Sequence, residues 1–373
     1  MERDNEYENM VERKLFDRAL NEKIPIYGVL ELTPLCNMNC DMCYVRLSKE
    51  EMNRLGKLRT LKQWLMLAKE MREAGVLFVL LTGGEPLLYP WFKELYLGLK
   101  ELGMVVTINT NGTLIDEKWV DFFSQHKPRR INITLYGDSE TYYDHLCHYR
   151  GGFTKCIQAI QSLKEAGVAV KINGSLTKAN CTSQDGILKI GKELDVPVRI
   201  DTYMCPGIRE RNKPFAFQSR MDPKTAAKSR INVLYQEMGS AVFKESCALE
   251  FSKIKETREN KEGITGLSCK AGKCSFTINW QGLMRPCVVM NEPSIDVFKT
   301  GFLESWKLLM EKCELLKGIS ECGNCKLRKV CNTCLAYAQL ETGSYYLRPD
   351  YLCKYTGYSL AYMQKKLQEI DEK

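Results

Sequence analysis

Between residues 24 and about 203, short apolar runs alternate with amphipathic segments. The runs at 26–32, 76–82, 104–110, 130–136, 168–173 and 198–203 have the length and β-branched content of strands. Between them, apolar residues recur at helical spacing over 60–74, 90–102, 116–126, 139–166 and 183–194, with Gly151-Gly152 breaking the fourth of these helices. A strand followed by a helix or crossover, six times over, predicts parallel strands joined by right-handed connections. Six strands are too few for a closed eight-stranded barrel, so the expected fold is α/β, a partial (β/α)6 TIM-like barrel over 24–205. The working loops of such a fold lie at the C-terminal ends of its strands.

The flanks read differently. Residues 1–23 form an N-terminal helical extension, with Met10, Val11, Leu15, Phe16 and Leu20 at helical spacing and Pro25 beyond them. After Cys205-Pro206-Gly207, the span 206–268 is a linker rich in Arg and Lys, a helix over 222–252 and a charged, Gly-bearing stretch over 253–268. From 269 to 353, nine cysteines fall in 85 residues with little periodicity between them. That density predicts a small, metal-organised, cysteine-rich α+β domain. A C-terminal segment, 354–373, ends in an amphipathic helix over 358–370.

Composition narrows the class. With 44% hydrophobic and 27% charged residues, collagen-like, low-complexity and disordered readings are excluded. The densest apolar run, 76–81, is far short of the roughly 18 residues that cross a bilayer, so no membrane association is expected. The polar, acidic start Met1-Glu2-Arg3-Asp4-Asn5-Glu6 lacks a secretory pattern, and a cytoplasmic location is expected. In a reducing compartment, 17 cysteines hold metal more readily than they form disulfides. The net charge of +8 is scattered among acidic residues, which favours an anionic ligand or acidic peptide and argues against a nucleic-acid groove. His126, His145 and His148 make no metal spacing with the cysteines, and no Ser-His-Asp order, P-loop or dinucleotide fingerprint is present.

The chemistry is written first in CNMNCDMC at 36–43, straight after the first strand. Three thiolates within eight residues, Cys36, Cys40 and Cys43, can wrap one face of a cubane cluster and leave its fourth iron open to a ligand. A zinc or redox loop is the competing reading, but such loops usually bring four ligands or a lone CxxC pair. The second constellation is Cys269-x4-Cys274-x12-Cys287 followed by Cys322-x2-Cys325-x5-Cys331-x2-Cys334-x18-Cys353. These eight thiols suffice for two four-thiolate sites, with zinc ribbons as the alternative. Cys313 stands outside the pattern, and Cys147, Cys156, Cys181, Cys247 and Cys313 read as small buried hydrophobes. Cys205, after the sixth strand, is the one free thiol placed for a catalytic role.

The CxxxCxxC pattern, with Met42 as the bulky residue before its last cysteine, resembles the radical S-adenosylmethionine (SAM) superfamily. The resemblance implies that Cys36, Cys40 and Cys43 ligate a [4Fe-4S] cluster whose open iron is chelated by SAM, cleaved on reduction to methionine and a 5′-deoxyadenosyl radical. Thr82-Gly83-Gly84-Glu85-Pro86 is similar to the family's GGEP loop, implying that Gly83, Gly84 and Glu85 hold the methionine ammonium. Asn109-Thr110-Asn111-Gly112 resembles its TNG segment, which places Asn109 and Asn111 near the SAM ribose. Thr134 keeps a hydroxyl where relatives carry Ser-Leu-Asp-Gly, while Tyr136 replaces the acid. Arg150 before Gly151-Gly152 is placed to meet the SAM carboxylate, with a solvated helix-end arginine as the alternative.

The stretch CKAGKCSFTINWQGLMRPC resembles the opening of a SPASM domain. By that likeness Cys269, Cys274, Cys287 and Cys334 hold one auxiliary [4Fe-4S] cluster and Cys322, Cys325, Cys331 and Cys353 hold a second. Cys331 and Cys334 could exchange, because only Asn332 and Thr333 separate them. Counting the SAM-binding one, three clusters are implied. The resemblance further implies a radical SAM oxidoreductase that oxidatively modifies a ribosomally made precursor peptide, forming a thioether or carbon–carbon cross-link, with a flavodoxin- or ferredoxin-type electron donor. Val288-Val289 stands where sulfatase-maturing relatives carry a catalytic Asp, which argues against that branch. The alternatives are a dehydrogenase acting on a small molecule or tetrapyrrole side chain and, more distantly, a non-catalytic zinc or iron–sulfur interaction protein.

Overall fold

The computed structural model describes residues 10–205, 219–255, 267, 269–331 and 333–372. Residues 1–9 of the expected N-terminal extension, 206–218 and 256–266 of the expected linker, Ser268, Asn332 and Lys373 lie outside the described residues.

Helix α1 (Met10–Glu22) precedes β1 (Tyr27–Glu31). There follow α2 (Lys49–Leu55), α3 (Leu61–Glu73), β2 (Phe78–Thr82), α4 (Phe92–Glu101), β3 (Val105–Thr110), α5 (Glu117–Gln125) and β4 (Arg130–Leu135). Then come α6 (Glu140–Leu146), α7 (Gly152–Glu165), β5 (Val170–Ser175), α8 (Gln184–Glu193) and β6 (Val198–Asp201). Strands β1 to β6 pair in parallel in chain order, so this half is the α/β partial barrel that the alternation of apolar runs predicts.

Local chemistry sets the boundaries. Ser48 with Glu51 and Thr60 with Gln63 make reciprocal capping boxes at the starts of α2 and α3, satisfying amides that a helix start leaves unpaired. Gly151 adopts φ 73°, a left-handed conformation that separates α6 from α7. Val106, Ile108, Ile131, Ile133, Leu135 and Ile172 join one large apolar core. Successive strand residues face opposite sides, so the other face carries Asn109, Arg130, Asn132, Thr134, Lys171 and Asn173, a polar lining.

Past the barrel lie α9 (Pro223–Lys255), β7 (Ser275–Ile278), β8 (Leu283–Arg285), β9 (Ile295–Asp296), α10 (Val297–Thr300), α11 (Phe302–Glu314), α12 (Leu335–Thr342) and α13 (Asp350–Asp371). Helix α9 bends at Gly239 and packs on α13 through Ile231, Phe243, Cys247 and Met363. Strand β7 pairs in parallel with β1, and β8 and β9 add antiparallel strands, so the sheet runs β6-β5-β4-β3-β2-β1-β7-β8-β9. Gly28 makes this junction possible: a β-carbon there would lie 2.6 Å from the Phe276 ring. Phe276 in turn meets Phe302 and Trp306 of α11 at ring-centroid separations of 5.1 and 6.0 Å.

The C-terminal third holds more regular structure than its sequence pattern predicts. Helices α11 and α12 were not expected there, nor was α2 before the third helix, and α13 begins at Asp350 rather than 358. Phe302, Trp306, Leu309 and Cys313 do recur at helical spacing, but the cysteine spacing is a stronger pattern in that stretch and masks them.

Candidate active site and cluster sites

The three-cysteine loop leaves β1 and is held by its neighbours. The Asn39 amide donates to the Cys147 carbonyl at 3.0 Å and the Asp41 amide to the Leu146 carbonyl at 3.0 Å. His148 meets Asp41 at 2.7 Å. Backbone amides point at sulfur: Met38 donates to Cys36 Sγ at 3.4 Å and Arg46 to Cys43 Sγ at 3.3 Å. Burial, followed by the charges of Glu85, Cys40 and Cys43, pushes the Cys36 thiol up to about 12. Cys40 is also raised, chiefly by its hydrogen bond with Cys147 and then by burial. A nearby cation is therefore needed to stabilise thiolates here, and iron would supply it.

Among the described residues, no three Cys, His, Asp or Glu side chains converge as ligands of a single metal ion. A cubane differs, because each thiolate takes its own iron and the sulfurs stand farther apart. Three thiols on one loop, with amides aimed at two of them, fit that donor set.

The Gly-Gly-Glu segment after β2 is zipped to this loop. The Gly84 amide donates to the Thr33 carbonyl at 2.7 Å and the Glu85 amide to the Leu35 carbonyl at 2.8 Å. A β-carbon on Gly83 would sit 2.4 Å from the Thr33 oxygen, and one on Gly84 2.3 Å from the Leu35 oxygen, so neither position accepts a side chain. Glu85 is completely buried. Its Oε1 accepts from the Leu87 amide (3.1 Å) and Thr110 Oγ1 (2.8 Å), and Oε2 from the Asn111 amide (2.8 Å). Burial raises its carboxyl to about 7 against those three lowering bonds. Glu85 thus knots the ends of β2 and β3 together.

The TNG segment completes the rim. Asn111 Nδ2 donates to Asn37 Oδ1 at 2.9 Å and reaches Cys36 Sγ at 3.7 Å, while Asn37 Nδ2 donates to Thr113 Oγ1 at 2.8 Å. The Cys156 thiol donates to the Asn111 carbonyl from below at 2.8 Å. Asn109 lies one step down the strand and accepts from Asn132 Nδ2 at 2.7 Å. Tyr136 is half-buried beside the loop, its hydroxyl raised by burial and then by Cys40, Cys147, Cys43 and Cys36. Arg150 is exposed at the turn before Gly151. Its neighbour Tyr149 faces the site instead: against a raising effect of burial, the Lys155 ammonium and hydrogen bonds with Asn37 and Thr113 lower its hydroxyl. Tyr149, Asn37 and Thr113 carry no motif and were missed by the spacing argument.

The C-terminal thiols fall into two neighbourhoods. Cys322 is raised by burial and then by Cys353, Cys331 and Cys325, and Cys353 by burial and then by Cys331 and Cys325 among its neighbours. Elsewhere, Cys287 stands near Cys334 and Cys269 and is pushed up to about 11, first by burial. Cys334 also stands near Cys269. Cys274, expected in the same set, is fully buried in a small apolar cluster with Phe16, Ala19, Ile26 and Phe78, with Cys269 the thiol near it.

Between the barrel mouth and these thiols lies an aromatic cluster. Tyr203, just past β6, packs on Tyr337 at 5.0 Å between ring centroids and donates to Glu341 Oε1 at 2.7 Å. Glu341 also pairs with Arg220, both nearly out of solvent, and the Arg220 guanidinium lies 3.8 Å over the Tyr351 ring. Cys205 stands near both Tyr203 and Tyr337, and Tyr337 near Cys334 and Cys287. A cavity of about 470 Å³ beside the β7–β8 turn, lined by Arg59, Gln281, Leu283 and Asp296 among others, contains no cysteine. No helix among the described residues is long and apolar enough to cross a membrane.

Residues 30–178 match the model of the Radical SAM superfamily. An AdoMet-dependent heme synthase of Methanosarcina barkeri is 25% identical over 344 residues, 87% of this chain and 95% of that protein. The sporulation killing factor maturation protein SkfB of Bacillus subtilis is 28% identical over 171 residues, 46% of this chain and 40% of its own length. The crystal structure of Streptococcus suis SuiB bound to precursor peptide SuiA shares the fold, with a TM-score of 0.65 at 19% identity over 91% of this chain and 79% of that one.

Proposed function

The chain is a radical SAM superfamily enzyme, and from that premise we propose that it removes hydrogen from a ribosomally made precursor peptide and closes a thioether or carbon–carbon cross-link. Cys36, Cys40 and Cys43 would hold a [4Fe-4S] cluster, which together with SAM would supply the radical chemistry for hydrogen abstraction. The chain's own residues hold and enclose that site. Gly83 and Gly84 keep side chains out of the tight seam between the loops after β1 and β2, and Glu85 fixes the TNG segment against them. Asn111, Asn37, Thr113 and Tyr149 present polar groups at the rim where SAM would lie. Met42, buried within the loop, and Tyr136, half-buried beside it, limit water at the site.

The observation that carries the oxidative reading is the pair of C-terminal thiol neighbourhoods, Cys269 with Cys287 and Cys334, and Cys322 with Cys325, Cys331 and Cys353. Two auxiliary [4Fe-4S] clusters there would take the electron that a substrate radical must lose to reach a net-oxidised product. Tyr203, Tyr337 and Cys205 line the way from the barrel mouth to the first of them. A flavodoxin- or ferredoxin-type donor would reduce the SAM-binding cluster. The polar lining and the rim support a substrate with polar groups, and the precursor peptide on SuiB supports the peptide class.

A second reading is oxidation of a tetrapyrrole side chain. Near full-length similarity to an AdoMet-dependent heme synthase favours it. Anaerobic turnover with SAM and dithionite separates the two. The peptide reading predicts 5′-deoxyadenosine formation stimulated by peptides encoded beside this gene and not by a carboxylated iron porphyrin; the reverse pattern refutes it.

A further inference from the structure

We propose that the first C-terminal cluster takes Cys313 from α11 as its fourth thiolate, beside Cys269, Cys287 and Cys334, and that Cys274 is a packing residue. This rests on the reading of an auxiliary cluster in that neighbourhood and changes which of the chain's residues hold it.

Cys274 stands at the edge of β7, and its carbonyl accepts from the Tyr27 amide at 3.2 Å. Its side chain is fully out of solvent, among Phe16 and Ala19 of α1 and Ile26 and Phe78. A cubane has no room among those rings and methyl groups without displacing α1 from the sheet. Cys269 is the one thiol whose charge reaches Cys274.

Cys313 sits in the last turn of α11 and belongs to the main core, as Ala271 and Leu267 do. The charges of Cys287 and Cys269 both reach its thiol. Tyr345 stands near Cys313 and Cys287 at once, just as Tyr337 stands near Cys334 and Cys287. Cys287, Cys313 and Cys334 come from three separate parts of the chain, and Cys269 stands near all three. The loop that carries Cys269 is shaped for the approach. Gly272 adopts φ +65°, and a β-carbon on it would fall 2.6 Å from Cys313 Sγ. A glycine there leaves the space that the sulfur enters.

The test uses the full chain in a Cys36→Ala, Cys40→Ala, Cys43→Ala background, so that only auxiliary iron is counted after anaerobic reconstitution. This parent should hold about eight irons, two four-iron clusters. Cys313→Ala should bring it to about four, with one of two reduced-cluster EPR signals lost. Cys274→Val, which keeps the packing but offers no ligand, should keep about eight irons and both signals. Full iron in Cys313→Ala, or loss of about four irons in Cys274→Val, would overturn the assignment. Gly272→Val, which leaves every cysteine in place and fills the approach, should reproduce the Cys313→Ala loss, and retention of both signals would count against it. A parent that binds no iron would instead remove the auxiliary-cluster reading beneath the proposal.

Discussion

Glu85 gives the sharpest quantitative handle on the site, through Glu85→Gln measured in the iron-free chain. The wild-type carboxyl titrates at about 7 in the folded protein against 4.5 ordinarily, because burial outweighs its three hydrogen bonds. A raised carboxyl means the folded chain holds its proton where the unfolded chain has lost it. The associated stability is present in full below the unfolded value and is lost as pH rises through the folded one. At 1.36 kcal/mol per unit the full loss is about 3 kcal/mol, most of it between about pH 5 and pH 8. Glutamine does not titrate, and its one amide oxygen can accept from Thr110 and Leu87 or from the Asn111 amide but not from both sides, so its NH2 is set against a remaining donor. It should therefore cost about 1–3 kcal/mol at about pH 5, where wild type is protonated. That gap should narrow or reverse by about pH 8. Urea unfolding across this range measures it. Wild-type and Glu85→Gln curves that run parallel with pH would refute the reasoning.

Other perturbations have equally defined outcomes. Cys36→Ala should abolish SAM cleavage and remove about four irons while leaving auxiliary iron in place, read by iron analysis and 5′-deoxyadenosine assay. Gly84→Ala forces a β-carbon to 2.3 Å from the Leu35 oxygen, so the two loops must part. A shift near an ångström at such a site should cut turnover roughly a hundredfold. Gly28→Val drives a branched side chain into the Phe276 ring and should destabilise the chain by about 1–3 kcal/mol in thermal or urea unfolding. Arg220→Met leaves Glu341 buried with only Tyr203 and should cost roughly 3–5 kcal/mol, whereas pairing it with Glu341→Leu should restore much of that.

The barrel was legible because its signal is local and repeated. The first four strand runs end in loops bearing recognisable strings, and the observed strands fall within two residues of the apolar runs, as at Val105–Thr110 and Arg130–Leu135. Gly151-Gly152 announced its own break because glycine adopts the left-handed conformation freely. The C-terminal third was less legible, because cysteine spacing drew the reading away from the Phe302, Trp306, Leu309 periodicity of α11. The rim shows the same limit. Tyr149 rather than its neighbour Arg150 faces Asn37 and Thr113, and one-residue rotation about a turn leaves no trace in a motif. Spacing along a chain also does not report what surrounds a thiol: Phe16 and Phe78 pack around Cys274, and Gly272 lies against Cys313.

The central claim is that this chain, with its Radical SAM domain, removes hydrogen from a peptide and exports the surplus electron. Its most direct test is mass spectrometry of small peptides encoded beside the gene, each co-expressed anaerobically with the intact enzyme or with the Cys36→Ala, Cys40→Ala, Cys43→Ala variant. The account predicts loss of hydrogens in pairs from one such peptide, with the intact enzyme alone. Unchanged peptides from an enzyme that still cleaves SAM to 5′-deoxyadenosine would contradict it.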